Sequence, residues 1–326
     1  MAVRWGIIGC GHIANTFVAG AKQVKHAVLA GCAASDCERA KAFAADHDIL
    51  VAYPDYQSLM LSKEIDAIYI ATTHNFHFEQ IKSSLLAGKH VLCEKPITLN
   101  SRQAMEVYAL ARQQNLLLIE AVWTRFLPAI IELQRRLNDG AIGKVKHVSA
   151  SFSLNRELPN SHRLRNKALA GGALLDLGIY PITFADIVYG KSPVAVFSSA
   201  YMTDTEVDEV SSYLLKYEDG RSATLSASYR MDAPIFGHIY GENGRIVVPH
   251  FLGAQGFQIW QGETLVEEVS CPFESSQNFQ FEIAHFQSCL EQGLTDSHLL
   301  STETSTRVLA IMDDARKQWG LAYADE

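Results

Sequence analysis

The chain has 326 residues, of which 48% are hydrophobic and 20% charged, a globular composition far from the low hydropathy and high charge of disorder. With 28 Lys+Arg against 36 Asp+Glu, the formal net charge is −8 with His neutral. That balance, without any basic run, excludes a general nucleic-acid binder, which needs a basic footprint for phosphates.

In chain order, the first third alternates short apolar runs with helical text. Strands are predicted at 4–8, 27–33, 67–71, 90–93 and 116–119, with helices at 13–22, 37–46, 76–87 and 101–113, the last capped by Asn100 or Ser101. Parallel crossovers are right-handed and put helices on both faces, so this text predicts a doubly wound Rossmann-type α/β sheet over residues 1–122. A chain of this length usually divides into two domains, and after Val122 the pattern changes. A helix is expected at 128–138, a strand at 145–154, a Gly-rich helix start at Gly171, then strands at 194–202, 211–217, 223–229, 237–240, 245–248, 257–260 and 265–269, and helices at 280–292 and 302–319. Turns such as Glu218-Asp219-Gly220 and Glu242-Asn243-Gly244 imply antiparallel pairing. Residues 123–326 therefore read as an α+β domain on an open, largely antiparallel sheet.

The six cysteines show no paired metal-ligand spacing, so neither a metal nor a disulfide framework is expected. The N-terminal segment enters a strand without a signal-peptide pattern, and no apolar run reaches about 18 residues. A cytoplasmic protein without a membrane partner is the expectation.

Gly9-Cys10-Gly11-His12-Ile13-Ala14 follows the first strand and opens a helix. Gly9 permits the tight turn, Gly11 lets the backbone approach a pyrophosphate, and Ala14 allows close helix packing, while His12 and Ile13 lie at the helix N-terminus that faces the anion. Dinucleotide binding is the consequence. Cofactor choice is read at the end of the second strand, where Ala34 stands in place of a ribose-binding acid, with Ser35 and Arg39 nearby as phosphate partners. This favours NADP. A one-residue slip would bring Asp36 to the ribose and favour NAD.

Glu94-Lys95-Pro96 lies at the carboxyl end of the fourth strand, where open α/β sheets carry ligand chemistry. Pro96 ends the strand and turns Lys95 out of it. Thr72, Thr73, His74 and Asn75 follow the third strand and are expected along the cofactor groove, with His77 either joining them or only starting the next helix. Arg163, in the loop before the Gly-rich helix start, is either a holder of a polar substrate or a solvated surface residue.

These motifs, with Glu120 to Phe126 and Ala170-Gly171-Gly172 through Tyr180, resemble the Gfo/Idh/MocA oxidoreductases over nearly the whole chain. The resemblance is strongest to the branch containing dimeric dihydrodiol dehydrogenase and NADP-linked D-xylose dehydrogenase. Many members carry Asp-x-x-x-His where this chain has Asp176-Leu177-Gly178-Ile179-Tyr180, so the resemblance moves the proton-transfer role to Tyr180, with Lys95 and Asp176 as its catalytic companions. Their four-residue spacing puts Asp176 and Tyr180 on one helical face. A free tyrosine, with a pKa of about 10, is a poor base near neutrality, and a nearby Lys95 ammonium would favour its ionised form. The resemblance also implies that Glu94, Lys95, Trp123 and Arg125 touch the cofactor, that Lys95, Trp123, Phe126, Asp176 and Tyr180 touch the substrate, and that the chain forms a homodimer through its C-terminal sheet.

The resulting expectation is reversible hydride transfer between nicotinamide and a carbinol or carbonyl carbon of a small polyhydroxy substrate: a sugar, polyol or trans-dihydrodiol. Two alternatives stand beside it. One is a catalytically silent dinucleotide- or sugar-sensing regulator on the same fold; the other is a reductase of a different carbonyl or of a linear tetrapyrrole.

Overall fold

The computed structural model describes residues 2–324 and 326. In chain order its elements are β1 (Val3–Ile8), α1 (His12–Ala21), β2 (Ala27–Ala33), α2 (Cys37–His47), β3 (Val51–Ala52), α3 (Tyr56–Leu61), β4 (Ala67–Ile70), α4 (His77–Leu86), β5 (His90–Glu94), α5 (Ser101–Gln113) and β6 (Leu118–Ala121). Then follow α6 (Pro128–Asn138), β7 (Val145–Ser153), α7 (Ile179–Tyr189), β8 (Ala195–Met202), β9 (Asp208–Lys216), β10 (Ser222–Ser228), β11 (Phe236–Gly241), β12 (Arg245–Pro249), β13 (Gly256–Gln261), β14 (Thr264–Ser270), α8 (Gln280–Glu291) and α9 (Thr302–Trp319). Short 3₁₀ turns fill several of the connections.

Two compact units result, neither continuous in sequence. The first holds the chain through Thr98 with Arg102–Trp123 and Glu274–Ser305, and the second holds Leu99–Ser101, Thr124–Phe273 and Thr306 onward. A single cut after residue 122 does not describe them, because the segment carrying α8 returns to the first unit. Sequence periodicity cannot announce that return. Its cause is packing: a Cβ on Gly20 of α1 would lie 2.8 Å from the Gln280 nitrogen, so only glycine lets the two backbones approach this closely.

In the first unit six parallel strands stand in the order β3-β2-β1-β4-β5-β6. β4 and β6 are buried throughout, which is why residues 67–70 and 116–119 read as unbroken apolar runs and not as alternation. Phe17 of α1 stacks on Tyr69 of β4 at 3.9 Å and meets Trp5 of β1 edge-on at 5.3 Å, while Trp5 also contacts Phe286 of α8 at 4.9 Å. β3 and α3 are absent from the sequence reading, since two-residue strands and six-residue helices are too short to show a period. β6 begins two residues later than expected. Leu116 still donates its N–H to the Ala111 carbonyl at the end of α5, and the Leu117 N–H goes to His90 Nδ1 at 3.0 Å.

In the second unit eight strands form one open sheet in the order β14-β13-β12-β11-β7-β10-β9-β8, antiparallel except for the β7–β10 pair. The segment Lys167–Tyr189 is long and apolar enough by composition to cross a membrane, contrary to the expectation that no run is. It is apolar because it is core: 89% of its most apolar window is buried in this fold. Helical turns begin at Leu174 and not at Gly171, because Gly172 sits at φ +116 and Gly171 lies against the carbonyls of Arg163 and Leu164.

Candidate active site

The glycine turn sits between β1 and α1. Gly9 has φ +94, and a Cβ there would lie 2.9 Å from the Ala71 carbonyl group, so an L side chain is strained and obstructed at once. A Cβ on Gly11 would meet nothing within 4 Å, and Gly11 caps α1 without a side-chain hydrogen bond. The space beside Gly11 at the start of the helix is therefore open, which fits the close approach of a pyrophosphate to the backbone. Ala14 is fully buried and His12 exposed, with Gly11 and Ile13 between those extremes. At the end of β2, Asp36 is already used: its carboxylate accepts the Glu38 N–H at 2.9 Å as the N-cap of α2. Arg39 reaches over the turn, with Nη2 3.5 Å from the Cys10 carbonyl, and Ser35 beside it is exposed.

The turn after β5 is pinned from several sides. Tyr69 donates its hydroxyl to Glu94 at 2.5 Å, the Ile97 N–H goes to the Glu120 carboxylate at 2.9 Å, and His77 Nδ1 lies 2.8 Å from the Pro96 carbonyl. The Lys95–Pro96 peptide bond is cis. Glu94, Pro96 and Ile97 are buried, whereas Lys95 between them keeps exposed surface. Such bracing holds a lysine in one place at the carboxyl end of a parallel sheet.

The residues after β4 divide in role. Thr72 donates to Gln80 at 2.6 Å and Thr73 to Asn75 at 2.8 Å; both threonines and Asn75 retain surface, and His74 is nearly buried. His77 is fully buried, its Nε2 3.2 Å from the Thr72 carbonyl. Burial holds its imidazole below the ordinary histidine value, the two carbonyls oppose this, and the Lys95 charge adds to the lowering. His77 thus ties the β4 end to the Lys95 turn. Trp123 is partly exposed, its ring 6.0 Å from Phe279 in the same unit.

In the second unit, Leu174–Gly178 is a turn of π-helix and α7 starts only at Ile179. The one-face relation expected of Asp176 and Tyr180 assumed continuous α-helix, and the wider π turn removes that premise. Asp176 and Tyr180 are each 7% exposed. Arg163 Nη2 lies 3.0 and 3.1 Å from the two Asp176 oxygens, and Tyr180 meets Phe152 edge-on at 5.7 Å. Arg163 is thus neither simply solvated nor independent of the site; it holds the Asp176 carboxylate, a pairing that spacing did not reveal.

Arg125 and Phe126, expected at the cofactor and the substrate, are both buried. Arg125 is 5% exposed and pairs with Asp186, whose other oxygen takes Arg307 Nε at 2.6 Å; a buried guanidinium needs such a partner, and this one is structural. Phe126, 2% exposed, is core. Sequence reasoning missed Phe152 and Asp208 altogether; the only signal for Asp208 was a carboxylate beside an alternating strand.

Fold and turn together define a dinucleotide-binding protein. Residues 3–122 match the model of the oxidoreductase family with an NAD-binding Rossmann fold, and residues 130–247 match the GFO/IDH/MocA C-terminal domain. The chain belongs to the Gfo/Idh/MocA oxidoreductase family and is an NAD(P)-dependent dehydrogenase/reductase. It is 36% identical over 332 residues to trans-1,2-dihydrobenzene-1,2-diol dehydrogenase of Xenopus tropicalis, covering 99% of this chain and 100% of that one. With the Homo sapiens protein of the same name it shares 32% identity over 335 residues, 100% and 99% of the two chains. Among solved structures, a 3-ketoreductase from Actinomadura kijaniata in complex with NADP and TDP-benzene superposes with a TM-score of 0.86 at 25% identity, over 97% of this chain and 98% of that one. Levoglucosan dehydrogenase, solved with NADH and levoglucosan, shares the fold at 19% identity with a TM-score of 0.86 over the same shares of each chain.

Proposed function

We propose that this oxidoreductase moves a hydride between nicotinamide and a carbinol or carbonyl carbon of a sugar, polyol or trans-dihydrodiol, with Tyr180 exchanging the hydroxyl proton. The observation that carries the reading is the Lys95 turn, where one cation keeps surface amid buried, mutually bonded neighbours. The bound nicotinamide supplies or accepts the hydride. Lys95 biases the Tyr180 phenol toward ionisation and orients a substrate hydroxyl or the nicotinamide ribose, while Asp176, held by Arg163, accepts a hydrogen bond from the substrate. The named activities of the relatives, a dihydrodiol dehydrogenase and a 3-ketoreductase, support this substrate range.

The test is a panel of pentoses, hexoses, inositols and aromatic dihydrodiols, assayed with NAD and with NADP by nicotinamide absorbance. Turnover of a polyhydroxy compound is expected. Polyols that alter bound-cofactor fluorescence without turnover indicate a sensor, and reduction confined to a large apolar tetrapyrrole moves the substrate class.

NADP is the proposed cofactor. Arg39 stands over the glycine turn and Asp36 is occupied as a helix cap, which leaves a cation and not an acid for the adenosine ribose. Arg39→Ala is expected to raise the KM for NADP by roughly 10- to 100-fold, the worth of a charge-assisted hydrogen bond, with NAD affected far less. Equal losses for both cofactors would remove Arg39 from phosphate recognition.

We also propose a cytoplasmic homodimer. All six cysteines are free thiols, as a reducing compartment maintains them. Phe197, Tyr201 and Leu214 project from the open sheet face at 56%, 67% and 43% exposure, an apolar surface suited to a second copy of itself. Leu214→Arg should halve the mass measured by sedimentation equilibrium. A wild-type monomer, or a variant of unchanged mass, speaks against this face.

A further inference from the structure

Asp208 opens β9 and is fully buried. Its Oδ2 accepts the Leu174 N–H at 2.8 Å, at the start of the helical segment that carries Asp176 and Tyr180, and the Ser211 hydroxyl at 2.9 Å. A second link runs from Ser211 to the Tyr213 hydroxyl at 2.5 Å, and that hydroxyl lies against Gly178, where a Cβ would approach it to 2.6 Å. Gly178 stands midway between Asp176 and Tyr180. One carboxylate therefore holds the π turn at its first N–H and, through two hydroxyls, places the Tyr213 phenol against its last residue. Its Oδ1 has no hydrogen-bond partner among the described residues and faces Gly172, where any side chain would collide with it.

We propose that Asp208 is a positioning residue for the reaction: its carboxylate sets the placement of the π turn and of Tyr180 beyond it, and its protonation loosens that hold. The inference rests on the reading of Tyr180 given above. A charged carboxylate at a helix N-terminus makes a charge-assisted bond to the N–H and a favourable interaction with the helix dipole, and protonation weakens both. Burial pushes Asp208 up to about 6, against the opposing pull of the Ser211 hydroxyl and the Leu174 N–H. Arg316 of α9 faces it as a charged group and also pulls it down; Tyr213, Tyr229 and Tyr323 face it as phenols that burial pushes up and keeps neutral. The switch thus falls near neutral pH.

The experiment follows the Tyr180 ring carbon in the full-length protein labelled with ¹³C at tyrosine Cζ, assigned by loss of the signal in Tyr180→Phe. The wild-type signal should shift with a midpoint near the Asp208 value of about 6. In Asp208→Asn, which keeps an acceptor for Leu174 but cannot titrate, that shift should vanish. Ser211→Ala, should the asparagine variant not fold, is expected to move the midpoint upward by removing a bond to the charged form. In parallel, kcat should fall roughly 10- to 100-fold below the midpoint in wild type, the cost of a small misplacement, and lose this acid limb in Asp208→Asn. A purely structural Asp208 would change the melting temperature without moving either profile. A Tyr180 signal flat across the range in wild type, or one that keeps its midpoint in Asp208→Asn, overturns the proposal. Failure of every substrate overturns the proposed reaction instead, while the resonance still decides on Asp208.

Discussion

Tyr180→Phe should lower kcat by about 10²- to 10⁴-fold, the usual worth of a positioned acid–base group, and leave cofactor affinity unchanged. The substitution removes one hydroxyl and keeps the ring that meets Phe152 edge-on, so packing is preserved and the loss is chemical. The cofactor contacts proposed on the glycine turn and the end of β2 use none of the atoms this change removes. Steady-state kinetics with the best substrate of the panel, with a fluorescence titration of the cofactor, measure both effects. Unchanged turnover would take Tyr180 out of the mechanism.

Lys95→Met keeps the length of the side chain and discards its charge. The bonds that pin the turn run through Glu94, Pro96 and Ile97 to Tyr69, His77 and Glu120, so the backbone should hold. A loss of roughly 10²-fold or more in kcat is expected, at the lower end of acid–base assistance. The pH profile carries the sharper signature. A cation favours the ionised phenol, so its removal raises the phenol pKa and moves the limb on which the base ionises to higher pH. A limb that stays in place would restrict Lys95 to binding, and its effect should then appear in KM and not in kcat.

Much of the dinucleotide half was legible in the sequence. A strand, a glycine turn and a helix in immediate succession state local requirements, namely positive φ at Gly9, room beyond Gly11 and close packing at Ala14, and the residue types follow from them directly. Lys95 could be singled out for the same reason: a charged residue at the end of an apolar strand demands an explanation wherever the chain goes next. Arg125 and Phe126 show what local text leaves out: the partner that pairs with Arg125, Asp186, stands 61 positions further on, and the burial of Phe126 is set by the packed fold. His77 was ambiguous because its two partners, the Thr72 and Pro96 carbonyls, are backbone atoms that no residue type announces.

What the sequence by itself determined is the order of the longer elements, the parallel nucleotide-binding sheet and the candidate groups for chemistry, because each depends on residues near one another along the chain. Only the tertiary structure decided that residues 274–305 pack with the first unit, that a π turn interrupts the helix between Asp176 and Tyr180, and that Asp208 takes the first N–H of that turn while Arg163 pairs with its Asp176. Those outcomes arise from contacts between distant segments, where burial makes each polar group find a partner that local propensity does not specify.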